Sequence, residues 1–117
     1  MNISVIGTGY VGLVSGTCFA EMGNNVICVD NNADKLDKLK NGNVTIYEPG
    51  LEIIYKRNLD QKRIIFSDDL ADAINNSTLI FLCLPTPQGE DGSADLSHVM
   101  DAAAEIGELL KHTKEYK

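Results

Sequence analysis

The sequence predicts an α/β fold in which a doubly wound parallel sheet has the strand order 3-2-1-4. Three observations support this prediction. Short apolar runs typical of strands alternate with longer runs of helical periodicity. A Gly-x-Gly-x-x-Gly segment directly follows the first strand-like run, and the second such run ends on an acid, Asp30. Such alternation implies right-handed crossovers between parallel strands, with helices covering both faces of the sheet.

The first half of the chain predicts two strands and two helices. Residues 2–6 (NISVI) predict a strand, and residues 10–22 predict a helix with its apolar side chains on one face. Residues 26–30 (VICVD) form a second, almost wholly apolar strand, which indicates burial on both faces of a parallel sheet. Residues 33–40 (ADKLDKLK) predict a short, exposed helix.

The middle of the chain predicts a loop, a helix, a strand and a further helix. The loop covers residues 43–50, and the helix after it runs from Leu51 to about Asn58. Residues 64–67 (IIFS) predict the third strand, and Ser67 or Asp68 is expected to cap a helix that ends near Asn75.

The last part of the chain predicts a strand, a turn-rich segment and a helix. Residues 79–84 (LIFLCL) are the most hydrophobic run, which is typical of a central strand. They precede turn residues at 85–95 and a helix at 96–110. In the order 3-2-1-4, however, the fourth strand lies at an open edge, which natural sheets avoid. We therefore expect a sheet truncated before its later strands.

Composition and charge narrow the class of protein. At 117 residues, with 44% hydrophobic and 23% charged residues, the chain is expected to form one incomplete domain over residues 1–117. A net charge of −7 argues against nucleic acid as a partner, and no apolar run is long enough to span a membrane. Without a signal peptide, a cytoplasmic location is expected. The three cysteines are far apart and form no C-x-x-C pair, so neither a disulfide framework nor a metal site is expected.

The glycine segment has the features of a phosphate-binding turn. Gly7 allows the sharp turn out of the strand, Gly9 lets the backbone approach a pyrophosphate, and Gly12 permits close packing of helix and sheet. The backbone N–H groups around Tyr10 and Val11 would then point at the phosphates. These features predict a Rossmann-like dinucleotide-binding fold. A glycine corner of another α/β fold is the alternative, and a methyltransferase would usually carry an acid where this chain has Ile6.

The acid after the second strand predicts which dinucleotide is bound. Asp30 lies eighteen residues beyond Gly12, where a carboxylate accepts hydrogen bonds from both hydroxyls of the adenosine ribose. A 2′-phosphate would be repelled there, and no arginine follows, so NAD is favoured over NADP. Lys35 is close enough in sequence to reach the same ribose or the pyrophosphate, although a solvated surface lysine is the alternative.

Four segments together resemble the N-terminal domain of the UDP-glucose/GDP-mannose dehydrogenase family. They are ISVIGTGYVGLVSG, VICVDNNADKLDKL, IYEPGL and LIFLCLPTPQGEDGSADLSHV, which lie in register over nearly the whole chain. The IYEPGL segment favours the members that act on UDP-glucose over those that act on GDP-mannose or a UDP-N-acetyl-hexosamine. A stand-alone nucleotide-sensing module is a further alternative from a different class of protein.

The resemblance implies an activity and a set of binding residues. Family members oxidise C6 of the sugar from alcohol to carboxylate and reduce two NAD, and the full-length enzyme is expected to be a homodimer. Thr86 would lie beside the cofactor on the way to the nicotinamide, with a simple turn residue as the alternative. No role is assigned to Glu48. The cofactor-binding residues implied are Gly7, Gly9, Tyr10, Val11, Gly12, Asp30, Lys35 and Thr86.

The resemblance also implies that the chemistry lies elsewhere. The family's nucleophilic cysteine belongs to a motif further along the chain, and Cys18, Cys28 and Cys83 lie in no such motif. The UDP-sugar is expected to be bound mostly by regions outside these residues. We therefore expect no catalytic residue and no activity in the 117-residue fragment by itself.

Overall fold

Four strands and five helices alternate along the chain in a computed structural model that describes residues 1–117. The strands pair in the order β3-β2-β1-β4, and every pair is parallel, which confirms the predicted topology. The elements are β1 (Asn2–Ile6), α1 (Tyr10–Glu21), β2 (Asn25–Val29), α2 (Ala33–Lys40), α3 (Leu51–Asp60), β3 (Ile64–Ser67), α4 (Leu70–Asn75), β4 (Leu79–Leu82) and α5 (Ser97–Leu110).

Helices cover both faces of the sheet. Because successive side chains of a strand point to opposite faces, Val5 of β1 joins one apolar cluster whereas Ile6 joins the other. The larger cluster packs the sheet against α1, α2 and α3, and its most buried members include Leu13, Leu39 and Tyr55. The smaller cluster lies under α4 and α5. Strand β2 contributes to both clusters, as its nearly continuous apolar sequence predicts.

The register of the sheet brings the carboxyl ends of the strands to one edge. Ile6 of β1 is paired with Val29 of β2 on one side and with Leu82 of β4 on the other, and Val29 is paired with Ser67 of β3. The residues that follow these strand ends are therefore neighbours in space, although they are far apart in sequence. Ligands of open α/β sheets bind at this edge.

The cap of α4 differs from the prediction. Asp69 is the N-cap, and its carboxylate accepts a hydrogen bond from the Asp72 backbone N–H at 2.9 Å. Ser67 was one of the two predicted caps, but it ends β3, and its hydroxyl accepts a hydrogen bond from the Asp69 N–H at 3.0 Å. Asp68, the other predicted cap, lies in the turn between them. The helix therefore begins later than predicted because Ser67 still belongs to the sheet.

Strand β4 lies at an edge of the sheet and pairs only with β1. It ends at Leu82, two residues earlier than predicted, and the Cys83 N–H makes one more hydrogen bond, to Ile6, before the chain turns away. Leu79 and Leu82 are 41% and 40% exposed. The edge position confirms the strand order expected from sequence, and it exposes the most apolar strand of the chain.

A membrane span requires a helix that is both long and apolar. No helix of this chain has both the length and the apolar composition to cross a bilayer.

Candidate functional site

A cleft of about 1000 Å³ lies at the carboxyl edge of the sheet. Its walls are the turn after β1, the end of β2 with the start of α2, the segment that leaves β4, and one side of α5. Of the eight residues predicted to bind a cofactor, the structure brings seven to this cleft, and Gly12 is buried beside it. The seven are Gly7, Gly9, Tyr10, Val11, Asp30, Lys35 and Thr86.

The turn after β1 passes very close to the residue that follows β4. Gly7 has a φ of +103°, a conformation that side chains rarely adopt, and a Cβ added there would lie 2.4 Å from the Cys83 carbonyl oxygen. Its N–H donates to the Val29 carbonyl at 2.7 Å, which ties the turn to β2. Position 7 therefore requires glycine both because of its positive φ and because no space is left for a Cβ.

Gly12 permits an equally close contact inside the first turn of α1. A Cβ added at Gly12 would lie 1.9 Å from the Gly7 carbonyl oxygen and 3.3 Å from the Cys83 side chain. Gly12 was expected to permit close packing of α1 on the sheet, but its closest contact is with the turn at Gly7. Gly12 shapes the site from behind and does not line the cleft.

Gly9 differs from the other two glycines because the space beside it is open. It is the N-cap of α1, and a Cβ added there would have no atom of the chain within 4 Å. The first turn of α1 carries no acidic residue, so no side chain of that turn competes with a ligand for its N–H groups and for the positive end of the helix dipole. This open cradle fits a phosphate group.

Asp30 is held by Thr8, a residue for which the sequence pattern predicts no role. The Thr8 backbone N–H and hydroxyl both donate to Oδ2 of Asp30, at 3.1 Å and 2.6 Å, and Oδ1 accepts from the Asn32 N–H at 3.0 Å. Thr8 is almost completely buried between the two glycines of the turn. Its place inside the Gly-x-Gly segment is the only signal in the sequence that pointed to it.

The surroundings of Asp30 favour its ionised form. Burial raises the pKa of this carboxyl, but the hydrogen bonds from Thr8 and Asn32 and the charge of Lys35 outweigh that effect and hold the pKa below its usual value. Lys35 Nζ lies 3.6 Å from Asp30 Oδ2. The Asn32 side chain caps α2 by accepting from the Lys35 N–H at 3.0 Å, so the start of α2 places Lys35 beside Asp30.

A second contact links the glycine turn to the loop before α3. The Tyr10 hydroxyl donates a hydrogen bond to the carboxylate of Glu48, to which the sequence analysis assigned no role. This hydrogen bond is the main cause that raises the pKa of Tyr10, followed by desolvation and by the negative charge of Glu48. The IYEPGL segment therefore lies against the outer side of the turn.

The remaining residues of the cleft offer no activated nucleophile. Cys83 lines the cleft, and burial raises the pKa of its thiol, as it does strongly for Cys28 in the apolar cluster against which Cys83 packs. Both shifts favour the neutral thiol over the thiolate that nucleophilic attack requires. Thr86 lies in the segment that leaves β4, on the far wall from Asp30, and His98 of α5 lines the same cleft.

Comparison with known proteins identifies the family. The model of the UDP-glucose/GDP-mannose dehydrogenase family, NAD binding domain, matches residues 1–115. The chain is 48% identical over 111 residues to a UDP-glucose 6-dehydrogenase of Pseudomonas aeruginosa, covering 95% of this chain and 24% of that protein. It is 50% identical over 113 residues to the UDP-glucose 6-dehydrogenase TuaD of Bacillus subtilis, covering 97% and 24%.

Solved structures show the same relationship. The fold superimposes on a GDP-mannose dehydrogenase from Pseudomonas aeruginosa with a TM-score of 0.94 at 34% identity, covering 98% of this chain and 26% of that one. For a UDP-glucose dehydrogenase from Pyrobaculum islandicum the TM-score is 0.86 at 38% identity, covering 92% and 25%. The chain spans about a quarter of the length of the relatives it matches. With its glycine turn, acid and sheet order, it belongs to the UDP-glucose/GDP-mannose dehydrogenase family and is an NAD binding domain of that family.

Proposed function

We propose that this chain is the NAD-binding portion of a dehydrogenase that oxidises C6 of UDP-glucose to give UDP-glucuronate, with reduction of two NAD. The support is the identity of 48% and 50% to two relatives named UDP-glucose 6-dehydrogenase. A dehydrogenase for GDP-mannose is the second candidate, favoured by the TM-score of 0.94 to an enzyme of that name.

The proposed assignment gives each wall of the cleft a part of the cofactor. The pyrophosphate lies against Gly9 and the N–H groups of Tyr10 and Val11, where no side chain fills the space. The adenosine ribose lies at Asp30 and Lys35. Gly7 and Gly12 hold the shape of the turn, and the cofactor continues past Thr86 towards its nicotinamide.

NAD, when bound, supplies the acceptor for hydride from the sugar carbon. What these residues contribute is binding and orientation, because the cleft holds no activated cysteine. We propose that the sugar nucleotide and the catalytic cysteine are provided with the rest of a longer, homodimeric, cytoplasmic enzyme, in which residues 1–117 form the first part of the dinucleotide domain. The support for a longer protein is that the chain spans about a quarter of its relatives.

The observation that carries the cofactor assignment is the position of Asp30, which directly follows β2 and whose side chain, 12% exposed, lies in the cleft wall. A carboxylate at this position accepts a hydrogen bond from a ribose hydroxyl and repels a 2′-phosphate. Wild type should therefore bind NAD more tightly than NADP in a calorimetric titration.

Replacement of Asp30 tests this assignment. We expect Asp30→Ala to weaken NAD binding by about tenfold, since a hydrogen bond to a charged group is lost, and to reduce the preference for NAD over NADP. Asp34→Ala is the matched control, because Asp34 lies nearby, in the first turn of α2, but is exposed and outside the cleft. An Asp30→Ala variant that binds both cofactors as wild type does would remove Asp30 from the site.

The substrate is tested with the full-length protein. Its NAD reduction should be measured against a panel of UDP-glucose, GDP-mannose and UDP-N-acetyl-hexosamines, with mass spectrometry of the product. Formation of a uronate from UDP-glucose at the highest kcat/KM supports the first candidate. A preference for GDP-mannose would establish the second.

A further inference from the structure

Thr8 stands out in the cleft because both of its polar donors are directed at a single oxygen atom. Its backbone N–H lies 3.1 Å and its hydroxyl oxygen 2.6 Å from Oδ2 of Asp30. The residue is 1% exposed, so water does not compete for these hydrogen bonds. A hydrogen bond to a carboxylate is shorter and stronger than one between neutral groups.

The hydrogen bonds already made by Asp30 limit what it can offer a ligand. A carboxylate has about four acceptor positions, two on each oxygen. Thr8 takes both positions on Oδ2, with Lys35 Nζ also 3.6 Å away, and the Asn32 N–H takes one position on Oδ1 at 3.0 Å. About one acceptor position remains, and it belongs to Oδ1.

We propose that Thr8 is a positioning residue for the cofactor site: it holds Oδ2 and thereby fixes the rotation of the Asp30 carboxylate that is offered to the adenosine ribose. This inference rests on the cofactor site proposed above and adds a determinant of its geometry. Without the Thr8 hydroxyl, Oδ2 keeps the Thr8 backbone N–H and the charge of Lys35 but loses its shortest hydrogen bond, so the rotation about χ2 is less constrained.

A second buried threonine provides a comparison for Thr8, because its hydroxyl donates to no carboxylate. Thr17 of α1 is also fully buried, yet its hydroxyl makes no hydrogen bond within the chain. Thr17→Val is therefore a matched control for Thr8→Val. Both changes replace a buried hydroxyl by a methyl group of similar size, but only one of them removes a partner of Asp30.

The first measurement uses the protein without cofactor. The pKa of Asp30 is followed by carboxyl carbon NMR in wild type and in the variants Thr8→Val, Thr8→Ser and Thr17→Val. Loss of the Thr8 hydroxyl should raise the pKa, because a hydrogen bond to the charged form is removed, whereas serine should restore it. The other titratable groups that line the cleft must be followed as well: Tyr10, Lys35, Asp68, Cys83, His98, Asp101 and Glu105.

The second measurement is calorimetric titration with NAD as a function of pH. At pH 7, Thr8→Val should bind NAD about fivefold more weakly than wild type, which corresponds to the ~1 kcal/mol of one hydrogen bond. On acidification its affinity should also fall at a higher pH, because Asp30 becomes neutral earlier. Thr8→Ser should recover both properties, and Thr17→Val should change neither. Thr8→Ala replaces Thr8→Val if the latter does not fold.

The outcomes separate this inference from the proposed function. A Thr8→Val variant with wild-type affinity and an unchanged Asp30 pKa overturns the role of Thr8. Equal weakening in Thr8→Ser and Thr8→Val, with an unchanged pKa, overturns it too, because the residue would then matter only for packing. If wild type binds no NAD, the proposed function fails, while the comparison of Asp30 pKa values still decides whether Thr8 controls the carboxylate.

Discussion

A methyl group added at Gly12 would lie 1.9 Å from the Gly7 carbonyl oxygen, whereas one added at Gly9 would have no atom of the chain within 4 Å. One residue type thus serves two purposes within four positions of the chain. At Gly12 the missing side chain is a requirement of folding. At Gly9 it leaves space in the cleft, and we propose that the pyrophosphate occupies that space.

Alanine substitutions separate these two roles. We expect Gly12→Ala to lower the free energy of unfolding by about 3 kcal/mol, since helix and turn must move apart to admit the methyl group. Gly9→Ala should leave stability nearly unchanged, because the backbone at Gly9 is extended with a φ of −73°, but it should weaken NAD binding. Urea denaturation and calorimetric titration measure the two effects. A Gly9→Ala variant that is destabilised but binds NAD as wild type does would contradict the assignment of a binding role to Gly9.

At the scale of the elements, the start of α4 shows how a strand sets the limit of the next helix. Ser67, Asp68 and Asp69 are all good capping residues, so local sequence does not choose among them. The sheet makes the choice. The Ser67 carbonyl accepts a hydrogen bond from the Asp30 N–H at 3.2 Å, which holds Ser67 in β3 and moves the cap to Asp69.

Removal of the cap should be measurable in the stability of the whole chain. We expect Asp69→Ala to lower the free energy of unfolding by about 1 kcal/mol, because the Asp72 N–H loses its acceptor. Asp68→Ala is the matched control, because the side chain of Asp69, and not that of Asp68, caps α4. Chemical denaturation of the two variants tests the assignment, and a larger loss for Asp68→Ala would refute it.

At the scale of the whole molecule, the order β3-β2-β1-β4 leaves the apolar strand β4 with one unpaired edge. Leu79 and Leu82 are each about two-fifths exposed, although the strand has the composition of a buried one. An apolar edge with free N–H and C=O groups is a template for pairing with another chain. In the 117-residue chain on its own, we expect this edge to promote association with other copies of the chain.

Sedimentation velocity over a range of concentrations tests that expectation. We expect the isolated 117-residue chain to associate as its concentration rises, and Leu79→Lys to reduce association, because a lysine blocks edge pairing. Ile65→Lys is the matched control on the opposite edge strand β3, where Ile65 is 45% exposed. A wild-type chain that stays monomeric, or an equal effect of both variants, would rule out the β4 edge as the cause.

Periodicity and turn chemistry were enough to predict the strand order, the bounds of most elements and the positions of Gly7, Gly12 and Asp30. These features depend on short-range sterics and on alternation along the chain, which can be read in one dimension. The cap of α4 was missed because hydrogen bonding within the sheet selected among three equivalent neighbours. The end of β4 was placed too late because apolar composition continues beyond the last paired residue.

The polar contacts of the site have a different origin. Thr8 and Asp30 are 22 residues apart, and Tyr10 and Glu48 are 38 apart. No local pattern relates the members of either pair, since the distance between them depends on how the strands are ordered and in what register they pair. The chain's own pattern thus determined the fold and predicted a phosphate-binding turn. Only the tertiary structure decided which side chains contact the carboxylate beside that turn, because parallel pairing of β1 and β2 brings the carboxyl ends of these two strands together.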